Sequence, residues 1–191
     1  MRCINCHSFT LLAFCYNCLK ELSEQSWGVR KLENDFKVYY FYKYSDIKHL
    51  LYSKHQFYGY FVFKFLAKLT FANFHQIFKP QTKLNAIALD DRVEKGLYSH
   101  AAILAKALKS PFIQPLFHAL QAQNKIKYSG KSLDFRRKNK RNFKLLKEIK
   151  YPVILVDDIV TTGSSILEAK KILEKNKISV LFALVLADAK D

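Results

Sequence analysis

The stretch "VILVDDIVTTGSSI", residues 153–166, is the most informative part of the sequence. It begins with four apolar residues, continues into Asp157 and Asp158, and ends in small hydroxylated residues around Gly163. A short apolar run of this kind is typical of a strand buried on both faces of a parallel sheet. Ligands of open parallel sheets bind beyond the carboxyl ends of the strands. We therefore expect the two carboxylates to face a ligand.

The residues that follow this strand have the chemistry of a phosphate site. A helix N-terminus offers unpaired N–H groups and a partial positive charge. Gly163 lets the backbone approach a ligand closely, and further donors come from the hydroxyls of Thr161, Thr162, Ser164 and Ser165. Carboxylates accept hydrogen bonds from a diol or hold a cation. A diol beside a phosphate describes a ribose 5-phosphate, and the spacing matches neither a P-loop nor the dinucleotide-binding G-x-G-x-x-G.

Strand and helix patterns alternate along most of the chain, after a polar connection at residues 19–35. Strands are predicted at 36–44, 85–91, 152–157 and 178–189, and residues 111–120 contain another short apolar strand that is broken by prolines. Helices are predicted at 46–55, 57–74, 99–109 and 164–176, the first and third with Ser45 and Ser99 as N-caps. Such alternation indicates an α/β fold with a parallel sheet. We predict a small module at 1–30 and a main domain at 31–191.

All the cysteines lie near the N-terminus, with the spacing C-x2-C-x8-C-x2-C: Cys3, Cys6, Cys15 and Cys18. Two such pairs supply a tetrahedral thiolate cage for Zn²⁺. We predict a structural zinc site, with disulfides and an iron–sulfur cluster as the alternatives. His7 is expected beside the site rather than in it. A segment this small cannot build its own core, so metal binding would supply most of its folding energy.

The charge balance narrows the classes of partner. The formal net charge is +16, from 32 basic and 16 acidic residues. This surplus favours polyanions, although a solvated lysine-rich surface accounts for it equally well. No signal peptide is visible, and we expect a cytoplasmic chain rather than an integral membrane protein. Residues 57–74 are interrupted by Lys64 and Lys68, which favours an amphipathic helix on the core, with an interfacial membrane helix as the alternative.

The densest basic segment is residues 124–147. Its candidates for contact with single-stranded nucleic acid are Lys125, Lys127, Lys131, Arg136, Arg137, Lys138, Lys140 and Arg141. Cationic side chains bind the phosphate backbone, and the interleaved Tyr128, Phe135 and Phe143 would stack on unpaired bases. A solvated face or a mobile substrate loop explains the same composition.

Residues 153–165 resemble the phosphoribosyl pyrophosphate (PRPP) signature of type I phosphoribosyltransferases. The match holds at every position: four apolar residues, an acid, Asp, two apolar residues, two small residues, Gly, any residue and a small residue. The resemblance implies a type I phosphoribosyltransferase-like fold for the domain at residues 31–191. It also implies that Asp157 and Asp158 are the catalytic acids and bind the ribose hydroxyls. It also implies that residues 161–165 bind the 5-phosphate and that Mg²⁺ accompanies PRPP.

The combination of a four-cysteine knuckle and a C-terminal PRPP loop resembles the ComF family of competence-associated proteins over nearly the whole chain. Its R-G-F-N-Q segment corresponds to "RVEKGLYSHAAILAKAL", in which Gly96 is kept and Ser99 and His100 replace Asn-Gln. A later family stretch resembles "RRKNKRNF". Where members often have a proline-rich loop, Asp90 and Asp91 would repel pyrophosphate unless Mg²⁺ or Arg92 offsets them.

This resemblance implies a PRPP-binding protein that acts in DNA uptake during natural transformation and contacts single-stranded DNA. Its partners would be a DNA-uptake helicase or an inner-membrane channel component, reached from the cytoplasm or peripherally at the inner membrane. The alternative is an active Mg²⁺-dependent phosphoribosyltransferase that transfers the ribose 5-phosphate of PRPP to an acceptor and releases pyrophosphate. A third reading is a PRPP sensor or scaffold.

Overall fold

The computed structural model describes residues 1–89, 91–93, 98–124 and 141–190, and within them a six-stranded sheet forms the centre of the protein. The strands are β1 (Gly28–Lys31), β2 (Lys37–Lys43), β3 (Leu84–Ala88), β4 (Ile113–Pro115), β5 (Leu120–Ala122), β6 (Phe143–Leu145), β7 (Val153–Val160) and β8 (Val180–Asp188). The helices are α1 (Tyr16–Ser23), α2 (Tyr44–Tyr52), α3 (Gly59–Leu69), α4 (His100–Ala107) and α5 (Ser164–Lys175). Short 3-10 turns occupy Glu33–Asp35, Ser53–His55 and Phe71–Gln76.

The sheet is mostly parallel and has the strand order β1-β2-β8-β7-β3-β4. Its strands β2, β8, β7, β3 and β4 run parallel, and β1 is added antiparallel to β2 at one edge. Strands β5 and β6 form a separate antiparallel pair. The predicted α/β class with a parallel sheet is therefore confirmed, and the acidic strand β7 lies near its centre.

The sheet separates two hydrophobic cores. Along β7, Val153 and Leu155 belong to one core, whereas Ile154 and Val156 belong to the other. This alternation explains why an uninterrupted apolar run forms a strand here, since both of its faces are covered. The first core contains side chains of α2, α3 and α4, and the second contains those of α5, β5 and β6.

The chain changes direction across the sheet between β3 and β7. From β3 the chain passes through α4 on the first face to β4 at one edge, and from β7 it passes through α5 on the second face to β8. The crossovers from the neighbouring strands β3 and β7 run in opposite directions along the sheet. The gap between the carboxyl ends of β3 and β7 is therefore a topological switch point. Open α/β sheets bind their ligands at such points.

The N-terminal cysteine segment shares the first core. Cys3, Phe14, Cys18 and Leu22 are buried there, and the Phe14 ring stacks on Phe65 of α3 with 4.1 Å between centroids. The buried side chains of this segment therefore belong to the first core, which the segment shares with the main domain. The boundary at residue 30 stays a prediction, and β1 spans it.

Several elements differ from their predicted bounds. The helix predicted over 57–74 ends at Leu69, where the Thr70 hydroxyl donates to the Leu66 carbonyl at 2.6 Å and a 3-10 turn follows. Residues 19–35, predicted to be a connection, contain the end of α1 and all of β1. The second difference has a simple reason, because α1 and β1 are too short to show a clear hydrophobic period in the sequence.

The two predicted serine caps have different outcomes. Ser99 caps α4, since its hydroxyl oxygen accepts from the Ala102 N–H at 3.2 Å. Ser45 does not cap α2, which begins one residue earlier at Tyr44, and its hydroxyl donates to Asp46 instead. Among the described residues, no helix combines the length and apolar character needed to cross a bilayer.

Candidate functional site

Asp157 and Asp158 lie at the switch point. Strand β3 pairs with β7 up to Val156, whereas β7 continues beside β8 as far as Val160. The strand is therefore longer than predicted, and the acids lie within it rather than after its end. They are nevertheless beyond the end of the neighbouring β3, so they border the gap in which a ligand is expected.

Asp158 is a buried acid that is paired with two nitrogen groups. Its Oδ2 accepts from the Lys54 ammonium at 2.9 Å and lies 3.4 Å from His100 Nε2. Burial by itself raises the pKa of Asp158, but His100 and Lys54 outweigh it and hold the pKa well below its ordinary value. The Asp158 charge in turn raises the pKa of Lys54. At neutral pH the site therefore contains a buried carboxylate and ammonium in contact.

Neither partner of Asp158 was identified with it from the sequence. Lys54 comes from the 3-10 turn after α2, and His100 is the first residue of α4. His100 is noted in the sequence only where Ser99 and His100 replace Asn-Gln of the R-G-F-N-Q segment, and Lys54 matches no motif. The sequence predicts the helix that contains each residue, but it does not predict that the two helices approach β7 at the same point.

Asp157 is half-buried and has the opposite protonation behaviour. Its Oδ1 accepts from the Asp158 backbone N–H at 2.9 Å. Burial and the adjacent Asp158 charge raise the pKa of Asp157 to about 8, against the lowering effect of Arg141. A side-chain hydrogen bond between the two carboxyls contributes in the same direction. The pair therefore holds one proton near neutral pH, mainly on Asp157, which is the more exposed member.

The turn after β7 has the geometry of a helix entrance. Gly163 precedes α5 with a φ of +79°, in the left-handed region that favours glycine. The space around it is also narrow, because a Cβ on Gly163 would lie 2.5 Å from Leu32 Cδ1 and would force the Leu32 side chain to shift. The Thr162 hydroxyl oxygen accepts from the Ser164 N–H at 3.2 Å and lies 2.8 Å from the Ser164 hydroxyl.

The turn is close to the acids and is partly open to solvent. Thr161 is exposed, Gly163 is buried, and Thr162, Ser164 and Ser165 are half-buried. The structure therefore places hydroxyls and a helix N-terminus directly after the carboxylate pair on one continuous segment. Such an arrangement can hold a phosphate group near groups that bind hydroxyls.

The four cysteines converge on one point. Their sulfur atoms all lie within 4.8 Å of one another, none is in a disulfide, and Cys6 Sγ lies 3.5 Å from Cys15 Sγ. A tetrahedral site with Zn–S bonds of about 2.3 Å separates its sulfurs by about 3.8 Å, so the set has the size of a metal cage. The Cys15 N–H donates to Cys3 Sγ at 3.3 Å, and the Asn5 amide donates to Cys18 Sγ at 3.2 Å. These donors suit thiolates, and the cluster can hold a metal ion such as zinc.

The second acidic pair of the sequence is only partly within the described residues. Asp90 and Gly96 lie outside them. Asp91 is buried and accepts from the His118 backbone N–H at 2.6 Å, with the His118 ring nitrogen Nδ1 at 3.4 Å. Its charge is therefore engaged by the segment before β5, which reduces the repulsion that the sequence predicted for a pyrophosphate.

Most of the predicted nucleic-acid candidates also lie outside the described residues. These are Lys125, Lys127, Lys131, Arg136, Arg137, Lys138 and Lys140. Arg141 is described, and it is close enough to Asp157 to lower that pKa. Its backbone N–H and that of Asn142 donate to the two carboxylate oxygens of Glu168 on α5, at 3.0 and 2.7 Å. Arg141 therefore lies near the acidic site, and its contact with nucleic acid stays a prediction.

No protein-family model and no curated protein matches the chain. Among solved structures, the orotate phosphoribosyltransferase from Aeropyrum pernix is similar over 90% of this chain and 80% of that chain, with 22% identity and a TM-score of 0.38. A likeness of this extent says nothing about substrate or activity.

The raised pKa of Asp157 predicts a pH-dependent cost in stability. The folded state keeps a proton up to about pH 8, whereas the unfolded carboxyl loses it near its ordinary value of 3.8. Wild-type stability therefore falls as pH rises through this window. We expect Asp157→Asn to raise the free energy of unfolding by about 1 kcal/mol or more at pH 7, with the gain vanishing near about pH 4.

Urea unfolding followed by the fluorescence of the single tryptophan, Trp27, measures this difference. The control is Asp35→Asn, because the Asp35 side chain is 81% exposed and its removal should have a small effect at every pH. A gain for Asp157→Asn that does not depend on pH would contradict the assignment of the proton.

Proposed function

We propose that this chain binds PRPP or a related ribose 5-phosphate ligand at the carboxyl end of β7. The observation that carries the proposal is the position of the acid pair and the hydroxyl-rich turn at the switch point between β3 and β7. A fold-level rule and a local sequence pattern thus indicate the same place independently. The PRPP-signature resemblance of residues 153–165 names the ligand class.

In this proposal, different residues bind different parts of the ligand. Asp157 is the more exposed carboxyl and meets the ribose hydroxyls, while Asp158 keeps it protonated and is itself fixed by Lys54 and His100. The turn at residues 161–165 binds the 5-phosphate through backbone N–H groups and hydroxyls. Carboxylate oxygens are ligands that Mg²⁺ prefers, so Asp158 and Asp157 would also hold a Mg²⁺ ion that neutralises PRPP charge, with the proton of Asp157 released when the ion binds.

The alternative is catalysis of phosphoribosyl transfer. It is favoured by the Lys54, His100 and Asp158 cluster, because buried groups with shifted pKa values are frequent at active sites. Transfer would replace the bond from C1 of the sugar to pyrophosphate with a bond from C1 to the acceptor. Pyrophosphate release from PRPP with a panel of nitrogenous acceptors distinguishes the enzyme from a binding protein.

Calorimetric titration with PRPP and Mg²⁺, repeated with ribose 5-phosphate, tests the binding proposal. We expect Asp157→Ala and Asp158→Ala each to weaken binding by about tenfold to a hundredfold, since each removes a hydrogen-bonding charged or proton-sharing group. The control is Asp46→Ala on exposed α2 surface, which should bind like wild type. Equal binding by all three variants would refute the site.

We also propose that the cysteine cluster is a structural zinc site. Protein purified under reducing conditions should contain about one zinc ion per chain by elemental analysis. Cys15→Ser should lose the metal and lower the melting temperature, because metal binding supplies folding energy to this segment. His7→Ala is the control and should keep the metal, since the converging ligands are the four cysteines. Iron and sulfide in place of zinc would overturn the proposal.

For the cellular role, we propose membership of the ComF family and action in DNA uptake during natural transformation, with contact to single-stranded DNA. The support is the resemblance of the two terminal motifs, together with the net charge of +16. In this role the chain works in the cytoplasm or peripherally at the inner membrane. A helicase or a channel component of the uptake machinery is its expected partner.

Electrophoretic mobility shift with single-stranded DNA tests this role. We expect binding that weakens as salt rises, because lysine and arginine displace counterions from phosphates. The test variant replaces with alanine Arg136, Arg137, Lys138 and Lys140. The control variant replaces four exposed lysines elsewhere: Lys20, Lys48, Lys171 and Lys175. We expect affinity and salt dependence to fall in the test variant alone. Equal losses in both variants would show that binding depends only on net charge and not on this segment.

A further inference from the structure

We propose that Arg30, on the edge strand β1, is a positioning residue that orients the phosphate-binding turn. This inference rests on the proposed function, because it concerns how residues 161–165 are held for a phosphate. Arg30 lies far from the turn in sequence, belongs to no recognised motif and falls at the predicted boundary of the N-terminal module. Its side chain nevertheless reaches the first residue of the turn.

The Arg30 guanidinium makes two contacts through the same nitrogen. Nη1 donates to the Thr161 carbonyl oxygen at 2.6 Å and to Asp188 Oδ1 at 2.9 Å. The side chain of Arg30 is 16% exposed and that of Asp188 is 7% exposed, so this ion pair is largely shielded from water. Asp188 is itself fixed, because its Oδ1 also accepts from the Lys190 N–H at 2.9 Å. The strand end of β8 therefore anchors Arg30, and Arg30 anchors the turn.

Holding the Thr161 carbonyl determines where the next N–H points. A peptide unit is planar and trans, and its C=O and N–H groups point in opposite directions. The Thr161 carbonyl and the Thr162 N–H belong to one such unit, so a carbonyl drawn toward Arg30 turns that N–H away from Arg30. Arg30 thus sets the direction of the first amide in the proposed cradle without touching the ligand.

A second contact from the same segment holds the middle of the turn. Leu32 lies against Gly163 so closely that a Cβ there would be 2.5 Å from Leu32 Cδ1. Leu32 also packs against the second core, which fixes its own position. Residues 30 and 32 therefore brace the turn at Thr161 and at Gly163. The pairing of β1 with β2 places Arg30 opposite Val38, and the Leu32 N–H donates to the Phe36 carbonyl at 2.9 Å.

The role of Arg30 is orientation rather than attraction. Its positive charge is paired with Asp188, so it adds little net field at the turn. Arg30→Met keeps most of the side-chain length and removes the donor. Arg30→Lys keeps a donor with a different shape and should restore part of the effect. Lys31→Met is the matched control. It removes the same charge from the residue next to Arg30, where the Lys31 ammonium forms only an exposed ion pair with Asp35.

The first measurement is ¹⁵N relaxation of the ligand-free protein. We expect the order parameters of Thr162 and Gly163 to fall from about 0.85 in wild type to below about 0.6 in Arg30→Met, with an intermediate value in Arg30→Lys. Lys31→Met should match wild type. Unchanged order parameters in Arg30→Met would overturn the inference, whether or not the chain binds PRPP. If Arg30→Met does not fold, Arg30→Lys is judged by the same comparison.

The second measurement is affinity for ribose 5-phosphate by calorimetry. Arg30→Met should bind about tenfold more weakly than Lys31→Met, because the cradle is no longer pre-oriented. Mobile turn residues with unchanged affinity would also overturn the inference. Failure of wild type to bind ribose 5-phosphate or PRPP would instead refute the proposed function, and the relaxation data would still decide whether Arg30 holds the turn.

Discussion

The buried charge of Asp158 is the constraint on which the candidate site depends. A carboxylate at this depth is tolerated only when it is paired, because the loss of hydration costs several kcal/mol. Lys54 and His100 provide the pairing, and both come from the layer of helices on the first face of the sheet. The charge therefore joins that layer to the central strand. Burial raises the pKa of Asp157, and the Asp158 charge raises it further, since two adjacent carboxyls do not both ionise easily.

The position of the turn after β7 likewise depends on contacts from another part of the fold, the β1 edge of the sheet. Arg30 and Leu32 come from β1 and the residue after it, and they contact the turn at Thr161 and Gly163. The acids are thus held from one side and the turn from another. A local motif of 13 residues acquires its geometry from segments over a hundred positions away.

The cysteine segment follows a similar principle of shared support. Its buried side chains extend the first core, and the Phe14 ring stacks on Phe65 of α3. The four sulfurs meet beside this contact within 4.8 Å of one another. A metal at this point would stiffen a segment that is already tied to the domain. The chain therefore combines a mostly parallel central sheet with a four-cysteine cluster whose buried members add to the first core.

The sequence alone determined the α/β class, most strands and helices of the main domain, the cap at Ser99 and the convergence of the four cysteines. These features follow from neighbours along the chain, such as apolar period, capping residues and thiol spacing, and local rules describe them well. Only the tertiary structure decided that Lys54 and His100 pair with Asp158, that Asp157 holds the proton, and that Arg30 holds the turn. Each of these contacts joins residues distant in sequence, and no local pattern encodes the packing that brings them together.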